Sequence, residues 1–183
     1  AMHGTPQAGF TAFDIDRSGE SIDSGWLGKG AYFTTSESSA RHYAKADAFA
    51  GEKKGPWSVD SSSGAGIGKF YIGGKLFDWG RKTQGVRGFV SRGERLPESI
   101  HEAVIERTGF RFNPSAESEE MARDESRLSA AVTEVLRSQE YDGVIATSDS
   151  NGTREIVVFA PEQVKSADAI VRDDKGNVIP LSE

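Results

Sequence analysis

Apolar residues recur along the chain with two periods, and the switches between them mark its elements. The opening HGT, followed by GFTAFDI, alternates loosely and predicts a short strand running into irregular chain. GAYFT (30–34) predicts a second strand. In SESSARHYAKADAFA (36–50) Ala40, Tyr43, Ala44 and Asp47 fall at helical spacing behind serines suited to an N-cap, which predicts a helix. Residues 51–68, rich in Gly, Ser and Lys, predict an exposed loop. KFYIGGKLFDW (69–79) predicts one or two strands broken at the glycine pair, and 80–94 a second loop.

PESIHEAVIERTGF (97–110) predicts a helix with Pro97 in its first turn and Gly109 at its end. A longer helix is expected over 115–139, with Leu128, Val132, Val135 and Leu136 as its apolar stripe and ESEEMARDES as its solvated face. The last third returns to strands: YDGVIAT, REIVVFAP, and a hairpin in AIVRDDKGNVIPL turning through Asp-Lys-Gly-Asn. This order predicts an α+β fold dominated by antiparallel sheet.

Composition narrows the picture. A chain of 183 residues suits one domain, 1–183, and 21 glycines exceed the usual share of about 7%, in keeping with many tight turns. The net charge of −6 disfavours a general nucleic-acid binder. Even so, Lys53, Lys54, Lys69, Lys75, Arg81, Lys82, Arg87 and Arg92 gather in one basic segment. With no cysteine, disulfides, thiolate nucleophiles and Cys-ligated metals are excluded. The longest apolar run, IVVFA, is far too short for a membrane span, and no signal peptide is visible, so a soluble domain is expected. The opening Ala-Met reads as a cloning scar on a domain excised from a larger protein. His42 and His101 read as helix-surface residues, because no second ligand lies at metal spacing.

The chemistry concentrates in GKGAYF (28–33), followed by Tyr43 eleven positions after Tyr32. This segment is similar to the nicotinamide-binding segment of the diphtheria-toxin-like and poly(ADP-ribose) polymerase-like ADP-ribosyltransferases, a group known by a His-Tyr-Glu triad on three strands. The first element resembles HGT, giving His3. The second resembles Tyr32, and the third Glu155, at the head of REIVVF. Further along, YDGVI and REIVVFAPEQVKSA resemble the bacterial and phage-associated branch, found in large polyvalent proteins and effectors. The resemblance covers 3–45 and 141–167.

It implies two packed, mainly antiparallel sheets around an NAD cleft with flanking helices. NAD is then the substrate, and the activity is transfer of ADP-ribose to a macromolecule with release of nicotinamide. Glu155, His3 and Tyr32 are the catalytic set it implies; His3, Gly4, Thr5, Tyr32, Phe33, Ser39 and Tyr43 are the cofactor-binding set. Two tyrosine faces suit the cationic pyridinium ring, each worth roughly 0.5–2 kcal/mol by cation–π attraction. A carboxylate suits the oxocarbenium-like sugar left when the glycosidic bond breaks. Gly4 would hold the nicotinamide amide through its backbone, where a side chain would obstruct the ring.

Two departures bear on the reading. Ala40 stands where polymerase-like members place the serine that binds the amide, with Ser39 beside it. Thr153 stands where arginine-modifying toxins carry a Glu or Gln, which argues against a guanidinium acceptor. A protein acceptor is the leading expectation, with nucleic acid the weaker one given the net charge. An immunity or regulatory partner, and secretion or delivery as a toxin acting in a cytoplasm, belong to the same resemblance. NAD hydrolysis and a non-catalytic binding module stay open as alternatives.

Overall fold

The computed structural model describes residues 1–15, 25, 27–45, 52–81, 98–109, 118–147, 151–167, 171–172 and 178–179. The strands are β1 (Met2–Thr5), β2 (Ala31–Thr34), β3 (Glu52–Lys54), β4 (Trp57–Val59), β5 (Gly66–Ile72), β6 (Leu76–Arg81), β7 (Gly143–Thr147), β8 (Arg154–Val158), β9 (Val164–Ser166), β10 (Val171–Arg172) and β11 (Val178–Ile179). The helices are α1 (Glu37–Ala44), α2 (Glu98–Thr108) and α3 (Ser118–Ser138), with one 3-10 turn at Pro161–Gln163.

Hydrogen bonding joins nine strands into one sheet in the order β3-β4-β5-β1-β2-β8-β7-β6, with β9 paired to β5. Every pairing is antiparallel except β6 with β7. The two packed sheets of the expectation are therefore replaced by a single network, and β10 pairs with β11 as a separate ribbon. The network has a seam. β1 and β2 share one residue pair, Met2 with Thr34, whereas β1 pairs with β5 over four residues and β2 with β8 over four.

Strand alternation assigns the two faces. One face carries Tyr32, Val144, Ala146 and Val157, which pack with Leu128, Val132, Val135 and Leu136 of α3 and with Ile100 and Val104 of α2. On the same face Met2 and Ile67 pack against Ala40 and Ala44 of α1. The opposite face carries Ala31, Phe33, Trp57, Val59, Phe70, Ile156 and Val158, covered by Ala8, Phe10, Phe13 and Ile15 from the segment after β1. Phe33 and Phe70 come from the two sides of the seam, yet their ring centroids are 5.7 Å apart. The two half-sheets thus share one aromatic core.

The expected α1 holds, with Ser36 as N-cap accepting from the Ser39 N–H, but it ends at Ala44. Lys45 adopts a left-handed conformation there and donates its N–H to the last carbonyls. Both later helices form, and Gly109 closes α2 in the left-handed region. The stretch 51–68 is not one loop: β3 and β4 form a tight hairpin about Gly55 and Pro56, and Trp57 and Val59 alternate inward around exposed Ser58. The acidic run of α3 is not wholly a solvated face either, because Glu125 is buried. It lies three and four residues before Leu128 and Ser129, on the stripe that faces the core. Residues 46–50 of the expected helix and 82–94 of the expected loop, together with Pro97 and the Asp-Lys-Gly-Asn turn, lie outside the described residues; Gly80 and Arg81, expected in that loop, continue β6.

Candidate active site

The sheet order sets β1, β2 and β8 side by side, so the strands bearing His3, Tyr32 and Glu155 are neighbours although the sequence separates them by about 150 positions. Glu155 pairs with Thr34 of β2 and with Ala146 of β7, and Thr34 in turn pairs with Met2. Tyr32 pairs with Val157. Tyr32 and Glu155 therefore share the face covered by the helices, as diagonal neighbours at roughly 7–8 Å.

The junction between β2 and α1 is stitched to the start of β8. Thr35 donates its N–H to the Arg154 carbonyl at 3.0 Å, and the Arg154 N–H donates to Thr35 Oγ1 at 2.9 Å. These bonds fix the head of β8, and with it Glu155, against the root of the helix that carries Ser39 and Tyr43. Tyr43 is 48% exposed, with its ring edge-on to His42 at 5.9 Å. Ser39 is half-buried on the same helix.

His3 takes a different position. It shares the face of Phe33, and its ring lies among Phe13 at 5.1 Å, Phe33 at 5.6 Å, Trp57 at 6.1 Å and Phe10 at 6.2 Å. Nδ1 lies 2.7 Å from the Tyr32 carbonyl oxygen. A carbonyl only accepts, so Nδ1 carries the hydrogen and Nε2 is the acceptor of the neutral ring. This bond spans the seam where the β1–β2 ladder stops. Burial pushes the imidazole below its ordinary pKa, partly opposed by the bond to Tyr32.

Gly4 has a packing reason that the sequence did not disclose. A Cβ there would lie 1.8 Å from the Ala40 carbonyl oxygen, so α1 rests directly on the β1 backbone. Phe33, expected among the cofactor contacts, is 2% exposed and belongs to the aromatic core. Thr5 Oγ1 accepts from the Gln7 N–H in a local turn.

The glycine turn before β2 also reads differently in three dimensions. The Tyr32 hydroxyl accepts from the Leu27 N–H at 2.9 Å and donates to the Gly28 carbonyl at 2.8 Å. Gly25 and Gly28 have φ of +85° and +117°, conformations that a side chain rarely adopts. The Tyr32 hydroxyl is thus anchored in the turn that leads into its own strand. Two α3 residues that sequence reading missed, Ser129 and Thr133, reach the same turn. Their spacing of four was the available signal.

A groove of about 580 Å³ lies on the aromatic face, lined by Phe10, Phe13, Trp57, Phe70 and Val164. It borders the His3 cage and is on the opposite side of the sheet from Glu155. No helix among the described residues is long and apolar enough to cross a membrane.

No curated protein and no solved structure matches the chain. A family model described as ADP-ribosyltransferase in polyvalent proteins matches residues 2–172, from the first strand through β10. With a match over nearly its whole length, the chain belongs to this family of ADP-ribosyltransferases and is a transferase enzyme.

Proposed function

We propose that the domain transfers a single ADP-ribose from NAD to a macromolecular acceptor, most readily a protein side chain, through a His3-Tyr32-Glu155 site. The observation that supports this reading is the adjacency of β1, β2 and β8, which makes the strands bearing these residues neighbours and sets Tyr32 and Glu155 on one face. In the step itself the C–N bond between ribose and the pyridinium nitrogen breaks. Its electron pair leaves with neutral nicotinamide, and an acceptor atom attacks the ribose C1′ and then loses a proton.

Glu155 stabilises the positive sugar and orients its 2′-hydroxyl, a preorganised electrostatic role worth about 10²–10³ in rate. Tyr32 and Tyr43 contact the pyridinium ring by cation–π attraction. Gly4 and Ser39 serve the carboxamide, with Ser39 in place of the serine absent at Ala40. His3 acts through β2, holding the Tyr32 carbonyl with its Nδ1–H. Thr153 beside Glu155 supports an acceptor other than arginine. On this reading the domain is one module of a polyvalent protein that acts as an effector after delivery, and an immunity partner would be its natural counterpart.

The test is incubation with labelled NAD and a cell lysate. Label on protein that disappears with Glu155→Gln supports transfer. Nicotinamide release at full rate without an acceptor, and no label on any macromolecule, would establish hydrolysis instead.

A further inference from the structure

The turn that precedes β2 is held from three directions by hydroxyl groups, two of them from α3, over 100 residues away in sequence. Ser129 Oγ donates to the Gly25 carbonyl at 2.8 Å. Thr133 Oγ1 accepts from the Lys29 N–H at 2.7 Å and donates to the Lys29 carbonyl at 3.1 Å. The Tyr32 hydroxyl takes the Leu27 N–H and the Gly28 carbonyl between them. The Ser129 carbonyl adds a longer bond to the Lys29 N–H at 3.3 Å.

The fit is close enough to dictate the glycines. A Cβ on Gly28 would lie 2.8 Å from Thr133 Oγ1, and one on Gly25 would lie 2.7 Å from Ser129 Oγ. Ser129 and Thr133 are both buried, on a stripe where apolar residues would otherwise pack. A buried hydroxyl at such a position is retained at a cost unless its bonds matter. Here all of those bonds go to the backbone of one turn.

We infer that Ser129 and Thr133 are positioning residues for the transfer reaction. They hold Gly25 and Lys29 in the turn before β2, and the turn in turn fixes the Tyr32 ring through its hydroxyl. α3 thereby sets the distance between the Tyr32 ring and Glu155 on the neighbouring strand. This inference rests on the proposed role of Tyr32, and it adds that the geometry of that tyrosine is controlled from the helix layer and not from its strand alone.

The experiment compares Thr133→Val, which keeps the shape and removes the hydroxyl, with Thr133→Ser, which restores it, and with Ser129→Ala. Val135→Ala, on the same stripe but two residues past the clamp, is the control for loss of helix packing. Nicotinamide release is followed against NAD concentration, with the melting temperature of each variant measured alongside. Loss of the Thr133 hydroxyl leaves the part-buried Lys29 carbonyl without that partner. The expected result is a fall in kcat/KM on the order of tenfold, carried mainly by KM for NAD. Thr133→Ser should recover to within about twofold, and Thr133→Val combined with Tyr32→Phe should cost less than the sum of the two.

Val135→Ala should lower the melting temperature and leave KM unchanged. Unaltered kinetics in Thr133→Val and Ser129→Ala would overturn the inference. So would a loss that merely follows melting temperature across all variants, Val135→Ala included. Glu155→Gln is assayed in parallel. Full activity in that variant sinks the proposed function itself, whereas an inactive Glu155→Gln beside a fully active Thr133→Val sinks only the clamp.

Discussion

The replacement Gly4→Ala inserts one methyl group where β1 meets α1. The added Cβ would stand 1.8 Å from the Ala40 carbonyl oxygen and 2.7 Å from its carbon. Real Cβ contacts essentially never close below 3.0 Å, so α1 must retreat by at least about 1.2 Å or β1 must tilt away from it. The obstacle is main chain, so no rotamer change relieves it. Ala40 itself is fully buried against Met2, Ala44 and Ile67.

Overpacking of this kind costs about 1–3 kcal/mol. In a domain of this size each kcal/mol lowers Tm by roughly 2–4 °C, so a fall of about 2–12 °C is expected. A thermal melt by circular dichroism measures it, and an NAD titration on the same sample reads the effect on the site. Because α1 carries Ser39 and Tyr43, its displacement should also raise KM for NAD. An unchanged Tm with NAD binding lost would mean that Gly4 is kept bare for a ligand and not for the helix. An unchanged Tm with NAD binding intact would refute the contact between α1 and β1 altogether.

Glu155→Gln keeps the size of the side chain and removes its charge; nicotinamide release should fall by about 10²–10³ while Tm stays within a degree or so, and single-turnover assays with enzyme in excess of NAD would show it. Tyr32→Phe strands the buried Leu27 N–H and Gly28 carbonyl and should lower stability by about 1–3 kcal/mol, read from the urea midpoint. His3 contributes a pH dependence whose sign follows from its lowered pKa. The folded state keeps the ring neutral, while the unfolded chain binds a proton below its ordinary value of 6.5. The His3 contribution is therefore complete above that value and is lost as pH falls toward the folded-state pKa, with a slope of up to about 1.4 kcal/mol per pH unit. Urea melts between about pH 7.5 and 5 should show this slope in the parent and lack it in His3→Gln; equal slopes would rule out a buried neutral ring.

Much of the framework was legible because period and punctuation are local properties. Ser36, Gly109 and the Leu128-Val132-Val135-Leu136 stripe each mark their element within a few residues, and the structure agrees. The β3–β4 hairpin was missed for the converse reason. Its strands are three residues each, and the Gly, Ser and Lys around them outweigh the single alternation of Trp57 and Val59. Glu125 was misread because a charged residue in an acidic run argues for solvent, while its helical register, visible only against the stripe, argues for burial. The stitching of Thr35 to Arg154 and the reach of Thr133 to Lys29 depend on tertiary folding over more than 100 positions. No local pattern encodes them.

The position of His3 follows from a constraint that the sequence states but does not resolve. Met2 pairs with Thr34, and Thr34 with Glu155, so these three share a face, and adjacent residues on a strand point oppositely. His3 must then face the aromatic core while Tyr32 and Glu155 face the helices. A triad drawn from three neighbouring strands therefore cannot converge from one side if the ladder continues. The ladder does not continue: β1 and β2 separate after one pair, and the His3 Nδ1–H bond to the Tyr32 carbonyl stands where the next ladder bond would be. A side chain thus replaces a backbone bond at the seam. On the proposed reading the imidazole acts on Tyr32 through its main chain, while the tyrosine ring and the carboxylate meet the substrate on the other face. His3→Phe separates these functions, since it keeps the aromatic packing and removes the bond. It should lower kcat/KM more than it lowers Tm, and a loss confined to stability would show that the imidazole is only a core residue.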